Sequence, residues 1–283
     1  MTWVAVARKD FRDAVRSRAL WALSAVFLLM AGGISVAYAT VDEISGGAPS
    51  AAGLVFFVAG VIGTFVSLAA ILACYRAVAG ERDSGTIKVL LSLPHSRADV
   101  VLGKLFGRTA VLALPVVGTL VLGVLLGGAL MGDVDVLATL LLAVVALLFT
   151  LAYVGIMVGL SAAAATTTRA ATYTIGFFVV VELFWDVVVF GIAFAANGFS
   201  FRGVTDFPAW LYPVTQVPPS SSFVTSLSAV IPDAPTAAGG AGGMSPAQID
   251  AFFATPWVGV VALAVWAVAP VGLGYLRFQR ADL

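Results

Sequence analysis

Two carboxylates, Glu182 and Asp186, stand four residues apart inside an otherwise apolar stretch, a spacing that puts both on one face of a helix. A charged carboxylate near the centre of a bilayer costs at least about 2.5 kcal/mol on insertion scales. If this stretch crosses a membrane, the pair must therefore point into protein or into a wet cavity. Such a pair could face a substrate or respond to protons, or it could simply make a structural hydrogen bond to a neighbouring helix; the spacing leaves both open. A second stretch, 80–94, is charged at its start, with Glu81, Arg82 and Asp83, and then apolar at Ile87, Leu90, Leu91 and Leu93. Gly85 and Thr86 separate the two halves, and Pro94 ends any helix there. Too short to fold alone and too patterned for a passive linker, this stretch has the character of a surface that docks a partner.

Little other chemistry is available. Cys74 is the single cysteine, so no disulfide can close within the chain, and His95 is the single histidine. Zinc sites that need several Cys or His ligands are excluded, and no HExxH motif occurs. A further alternative, an intramembrane enzyme, would need a nucleophile–base pair or a metal cluster within the spans, and a single histidine outside the apolar stretches argues against it. No GxxxxGK[ST] phosphate loop is found, so ATP has no binding loop of the usual kind in this sequence. No metal, cofactor or catalytic residue is expected.

The elements that must position these residues follow from composition. Of 283 residues, 61% are hydrophobic and 11% charged, where a soluble domain carries about 25% charged residues. So few charges cannot cover a water-facing surface, and much of this surface must face lipid. A hydrocarbon core about 30 Å thick needs roughly 20 apolar residues of helix. Six stretches qualify: 19–40, 53–75, 109–130, 136–160, 171–195 and 256–276. Backbone groups in lipid must bond internally, and the ten-residue alternation of a barrel is missing, so the fold class is all-α integral membrane with six transmembrane helices.

Fourteen of the fifteen basic residues fall at 1–18, 76–108, 161–170 and 277–283, all but Arg202. The positive-inside rule then makes these segments and both termini cytoplasmic. Residues 196–255 form a long outer loop before the last helix, in which 223–231 is apolar but too short to cross and could dip into the outer leaflet. Ser245 and Pro246 with Gln248 signal a short helix up to residue 254. At the other end, Val4, Ala7, Phe11, Ala14 and Val15 recur at helical spacing with Arg8, Lys9, Arg12, Asp13 and Arg16 on other faces. That pattern describes an interfacial helix along the inner membrane surface, with Trp3 as an anchor. Gly123 and Gly127, and again Gly155 and Gly159, would let helices approach closely. Fifteen Lys+Arg balance fifteen Asp+Glu, which offers no basic excess for a nucleic-acid partner, and none is expected.

Glu81, Gly85, Thr86, Ile87, Leu90, Leu91, Pro94, Ser96 and Arg97, followed by Gly103 and Lys104, resemble the first cytoplasmic loop of ABC-2 type transporter permeases. The opening run Ala7 to Phe11, with Arg16 to Arg18, also resembles that family, as does the six-span plan with a large outer loop before the last span. The likeness covers the whole chain as a single permease domain, with a flavour similar to the NosY-like branch. It implies a plasma-membrane permease, an exporter, that forms a homodimer and pairs with two copies of a separate ABC ATPase subunit. It further implies that 81–94, including Arg82, is the coupling element seated on the ATPase, and that the N-terminal helix is the family's elbow helix. In such transporters the fifth span lies near the dimer pathway, which would make Glu182 and Asp186 translocation-path residues. The alternative is a membrane scaffold that recruits a cytosolic protein and transports nothing.

Overall fold

A computed structural model of the chain describes residues 3–45, 49–92, 96–200, 209–231 and 255–281. Every regular element among them is helical. Five helices are long and apolar enough to cross a membrane, or six if a bent pair is counted as one span. In chain order, α1 (Trp3–Val15) precedes the first long helix, α2 (Arg18–Thr40), and a single turn, α3 (Asp42–Ser45), follows it. Next come α4 (Ala51–Cys74), the short α5 (Ala79–Asp83) and α6 (Thr86–Ser92), and then α7 (Arg97–Met131) and α8 (Val136–Ala163). The bent crossing is α9 (Thr167–Phe177), a π-helical turn (Phe178–Leu183) and α10 (Trp185–Ala196). Short α11 (Tyr212–Thr215) and α12 (Pro219–Val230) lead to α13 (Trp257–Gln279).

The helix starts are written in the sequence. Ser17, Ser50, Asp135 and Thr166 each sit in extended backbone and accept an amide hydrogen bond three residues on. Ser96 and Asp99 form a reciprocal capping box that opens α7. That box makes 97–131 one continuous helix, which begins well before the span expected at 109–130. At about 1.5 Å per residue, α7 is some 50 Å long, so its first turns extend beyond an apolar slab about 30 Å thick. Gly132 ends it in the left-handed region (φ 74°), producing the tight hairpin to α8.

The bundle is organised around α8, which packs against α4, α7, α9, α12 and α13 and is buried on most of its faces. Helix association within lipid gains little from apolar burial and rests on close van der Waals packing. Small residues supply that approach. A Cβ on Gly159 would strike the Pro270 carbonyl, one on Gly155 the Ala267 carbonyl, and one on Gly274 the backbone of Gly159. The second suggested pair serves in the same way, Gly123 lying against Val58 and Gly127 against Leu54. The outward faces carry the exposed apolar residues, among them Leu29, Leu137 and Val268. The stretch read as an apolar dip is α12, which buries Phe223 and Leu227 against α8 and α13, with Phe223 stacked on Phe149 at 4.5 Å. The short helix expected up to residue 254 lies outside the described residues, as do Pro94 and His95.

Candidate functional site

Both described ends of the chain and the α5–α6 loop gather at one end of the bundle. The loop is a helix–turn–helix built on Gly85, whose φ of +73° lies in the left-handed region that favours glycine. Thr86 ties the turn together, its hydroxyl donating to the Glu81 carbonyl at 3.3 Å and lying 2.8 Å from the Ser84 hydroxyl. Ile87 is fully buried and anchors α6 to the bundle, while Thr86 and Lys88 remain exposed. Leu90 and Leu91 continue α6.

Each of the three charges at the start of the loop has a distinct partner. Glu81 Oε1 accepts from Lys104 Nζ of α7 at 2.7 Å. Lys104 is itself buried and lies 3.6 Å from Asp10 of α1, whose other oxygen is 2.6 Å from Arg108 Nε. Two carboxylates and two cations thus balance in one buried cluster that joins α1, α5 and α7. Arg82 donates to the Ala164 carbonyl at 2.7 Å, at the end of α8. Asp83 accepts from the Thr167 hydroxyl at 2.6 Å and its amide at 3.2 Å, at the start of α9. Those two hydrogen bonds hold the Asp83 carboxyl below the usual aspartate range.

Two further contacts complete this end. The Ser161 hydroxyl accepts from the amides of Val78 and Ala79, both at 3.1 Å, and donates to the Tyr75 carbonyl at 2.8 Å. Arg97 donates to the carbonyls of Gln279 and Ala281 at 2.7 and 3.0 Å and lies over the Phe278 ring, which Arg82 approaches from 5.9 Å. The loop is therefore fastened to α1, α7, α8, α9 and the tail of α13. Displacing α6 must load all of them.

Sequence reasoning placed the loop but missed its fasteners. The buried face of α1 is Val6, Asp10 and Ala14, while Val4 of the expected apolar stripe is exposed. Asp10 interrupts that apolar face, and Lys104 and Arg108 stand one turn apart on α7, each beside a glycine. A Cβ on Gly103 would strike Val6, and one on Gly107 the Ala7 carbonyl. A glycine pair beside a cation pair was the available sign of a close helix crossing with a buried carboxylate. Ser161 carried no such sign.

Glu182 and Asp186 do not lie on one unbroken α-helical face. The helix is broken at Phe184 by a 52° bend, and the π-helical turn closes with the Phe184 amide on the Val179 carbonyl at 2.9 Å. Glu182 is partly buried and turned toward α12: Ser220 donates to it through its hydroxyl at 2.6 Å and its amide at 3.4 Å. Because Pro219 has no N–H, Ser220 offers the first free amide of α12, and Glu182 serves as its cap. Tyr153 of α8 is fully buried, and its hydroxyl has no hydrogen-bond partner among the described residues. Indole donors satisfy the carbonyls before α12, Trp185 on Val214 at 2.7 Å and Trp266 on Val217 at 2.8 Å. Such pairing lets non-helical backbone sit within protein at membrane depth. Asp186 is exposed on the single chain. Among the described residues no cluster suited to a metal occurs.

Comparison with known proteins adds a family-level result. The model of the ABC-2 family transporter proteins matches residues 4–283. A probable ABC transporter permease protein NosY of Pseudomonas aeruginosa is 27% identical over 290 residues, covering 98% of each chain. Its namesake in Stutzerimonas stutzeri is 34% identical over 112 residues, covering 39% of this chain and 40% of its own.

Proposed function

Because the chain belongs to the ABC-2 family of transporter proteins, and so is a multi-pass membrane subunit of an ABC transporter, we propose that it exports its substrate using ATP hydrolysed by a separate subunit docked on the α5–α6 loop. The family is one of transporter membrane subunits rather than enzymes, and hydrolysis is assigned to the partner. In this reading the end that carries the loop is cytoplasmic, the membrane is the plasma membrane, and two copies of the chain pair with two ATPases.

One observation carries the proposal: a short exposed helix pair is fastened by charge at three separate points to the spans. An ATPase that closes on ATP pushes α6. Glu81 passes the push through Lys104 to α7 and α1, Arg82 passes it to the end of α8, and Asp83 to the start of α9. Helix α9 runs directly into the π-helical turn that carries Glu182, so movement at the loop reaches α12 along continuous helix. Glu182 then acts on the path through the hairpin it caps. Asp186, a carboxylate on an apolar face, turns to the second copy or a wet pathway, because lipid would charge it at least about 2.5 kcal/mol.

The test replaces the loop. Cysteine pairs placed at Thr86 or Lys88 and on the ATPase are expected to crosslink in membranes. Gly85→Val with Thr86→Trp is expected to abolish substrate-driven ATPase activity while leaving insertion intact. Full transport after residues 81–92 are exchanged for a Gly/Ser linker would overturn coupling through this loop.

A further inference from the structure

Helix α1 uses one face for the buried ion cluster and leaves the other face free. Val6, Asp10 and Ala14 turn to α7, whereas Arg8, Lys9, Arg12 and Arg16 are all exposed and line an open groove of about 620 Å³ along the helix. Asp13 is the one acidic residue in that groove, so the face carries a net charge of +3, four cations less one carboxylate. Asp10 cannot neutralise it, being buried on the other side against Lys104 and Arg108.

The location of the face identifies what meets it. Only Arg16 and Ser17 separate the end of α1 from the start of the α2 span. The corner is braced by Trp21 of α2, whose indole N–H donates to the Val15 carbonyl at 2.7 Å. That join holds α1 beside the start of the α2 span, the level at which the field of a charged surface, which decays over about 8 Å, would be felt. Trp3 and Val4 are exposed at the far end of the helix, with Trp3 packed on Phe106 at 5.1 Å, and they place an apolar body at the same boundary. A charged face held at this level meets phosphate before it meets any soluble molecule.

We propose that the outer face of α1, through Arg8, Lys9, Arg12 and Arg16, is a binding surface for anionic phospholipid headgroups of the cytoplasmic leaflet. This rests on the loop-bearing end being cytoplasmic. Because Asp10 ties the same helix to Lys104 and Glu81, a headgroup on one face bears on the loop from the other. Anionic lipid is thereby a positioning ligand of the α5–α6 loop as well as its neighbour.

The experiment uses the full chain, purified in detergent, stripped of lipid and titrated with phosphatidylglycerol or phosphatidylcholine of identical acyl chains, with bound lipid counted by native mass spectrometry. No ATPase is present, so failure here is separable from failure of the coupling reading. Phosphatidylglycerol is expected to bind in preference. Arg12→Gln with Arg16→Gln is expected to weaken it at least about ten-fold, since each basic group at a charged surface contributes roughly a five-fold factor. The Arg→Lys pair at the same positions should retain the preference. Because these side chains are exposed, thermal unfolding of both variants should match the parent. An unchanged preference after neutralising all four cations overturns the proposal. So does equal binding of phosphatidylglycerol and phosphatidylcholine by the parent chain.

Discussion

Replacing Lys104 by Met tests whether the buried cluster is one cooperative unit. The Lys104 and Asp10 side chains keep 3% and 7% of their surface, so this arm is almost wholly desolvated. Removing one partner from a buried pair costs about 3–5 kcal/mol, because the other charge is left unpaired. Two features place the change at the low end of that range. Asp10 keeps Arg108, at 2.6 Å, and Glu81 keeps 24% of its side-chain surface in contact with solvent. The expected loss is about 3 kcal/mol. Met retains the length of the side chain, so little of it comes from a cavity. Glu81→Gln in the same chain removes the stranded charge, and the double variant should recover about 1–2 kcal/mol, the coupling expected between contacting charges. The protein supplies its own probe: Cys74 is its single cysteine, fully buried at the end of α4, one residue beyond the Ala73 carbonyl that Arg108 also contacts at 2.9 Å. A thiol-reactive fluorophore should label it at a lower temperature in Lys104→Met, and labelling should move back in the double variant. Additive losses, or an unchanged labelling temperature in Lys104→Met, would refute the cluster as a unit.

Two further outcomes follow from the same geometry. The Asp83 carboxyl is held low by the Thr167 hydroxyl and amide, with burial acting weakly the other way and Arg76 adding to the lowering. A group whose folded pKa is depressed stabilises above its unfolded value, about 3.9 for aspartate, and loses that contribution as pH falls through the folded value. Thr167→Val should therefore lower stability at neutral pH slightly and flatten its decline below about pH 4, as read by Cys74 labelling; a parallel decline would refute the assignment. Ser220→Ala removes the hydroxyl that Glu182 accepts, at a cost of about 1.5–3 kcal/mol for a hydrogen bond to a charged group. Glu182→Gln should be milder, and limited proteolysis of the segment before α12 should be faster only in Ser220→Ala; equal protection in both would remove Glu182 as the hairpin's cap.

How much of this was legible in the sequence differs with the physics involved. Spans are set by composition over twenty residues, so five of the six stretches reappear as long helices and the sixth as a bent pair, with ends shifted by a few residues. Caps are local, and Ser96 with Asp99 could have shown that α7 begins before the bilayer. The glycine pairs 123/127 and 155/159 pack as their spacing suggested, because only small residues admit a second backbone. What the sequence hid is long-range. Glu81 and Lys104 are 23 residues apart, Asp10 and Arg108 are 98, and Glu182 and Ser220 are 38. No periodicity connects such residues. The helical-face argument for Glu182 and Asp186 assumed an unbroken α-helix, and neither Gly nor Pro marks the bend at Phe184.

The contacts of Arg97 impose an order in time. Its acceptors at Gln279 and Ala281 are 182 and 184 residues further along the chain, after the end of α13 is reached. Until the ribosome releases that turn, the guanidinium at the head of α7 has none of these carbonyls to bind, and the Phe278 ring that Arg82 also approaches is absent. The α5–α6 loop is therefore made early and fastened only after α13. A chain cut short before residue 278 would insert all the spans before α13 and still present a loose loop, so synthesis of α13 gates the surface where a partner would bind.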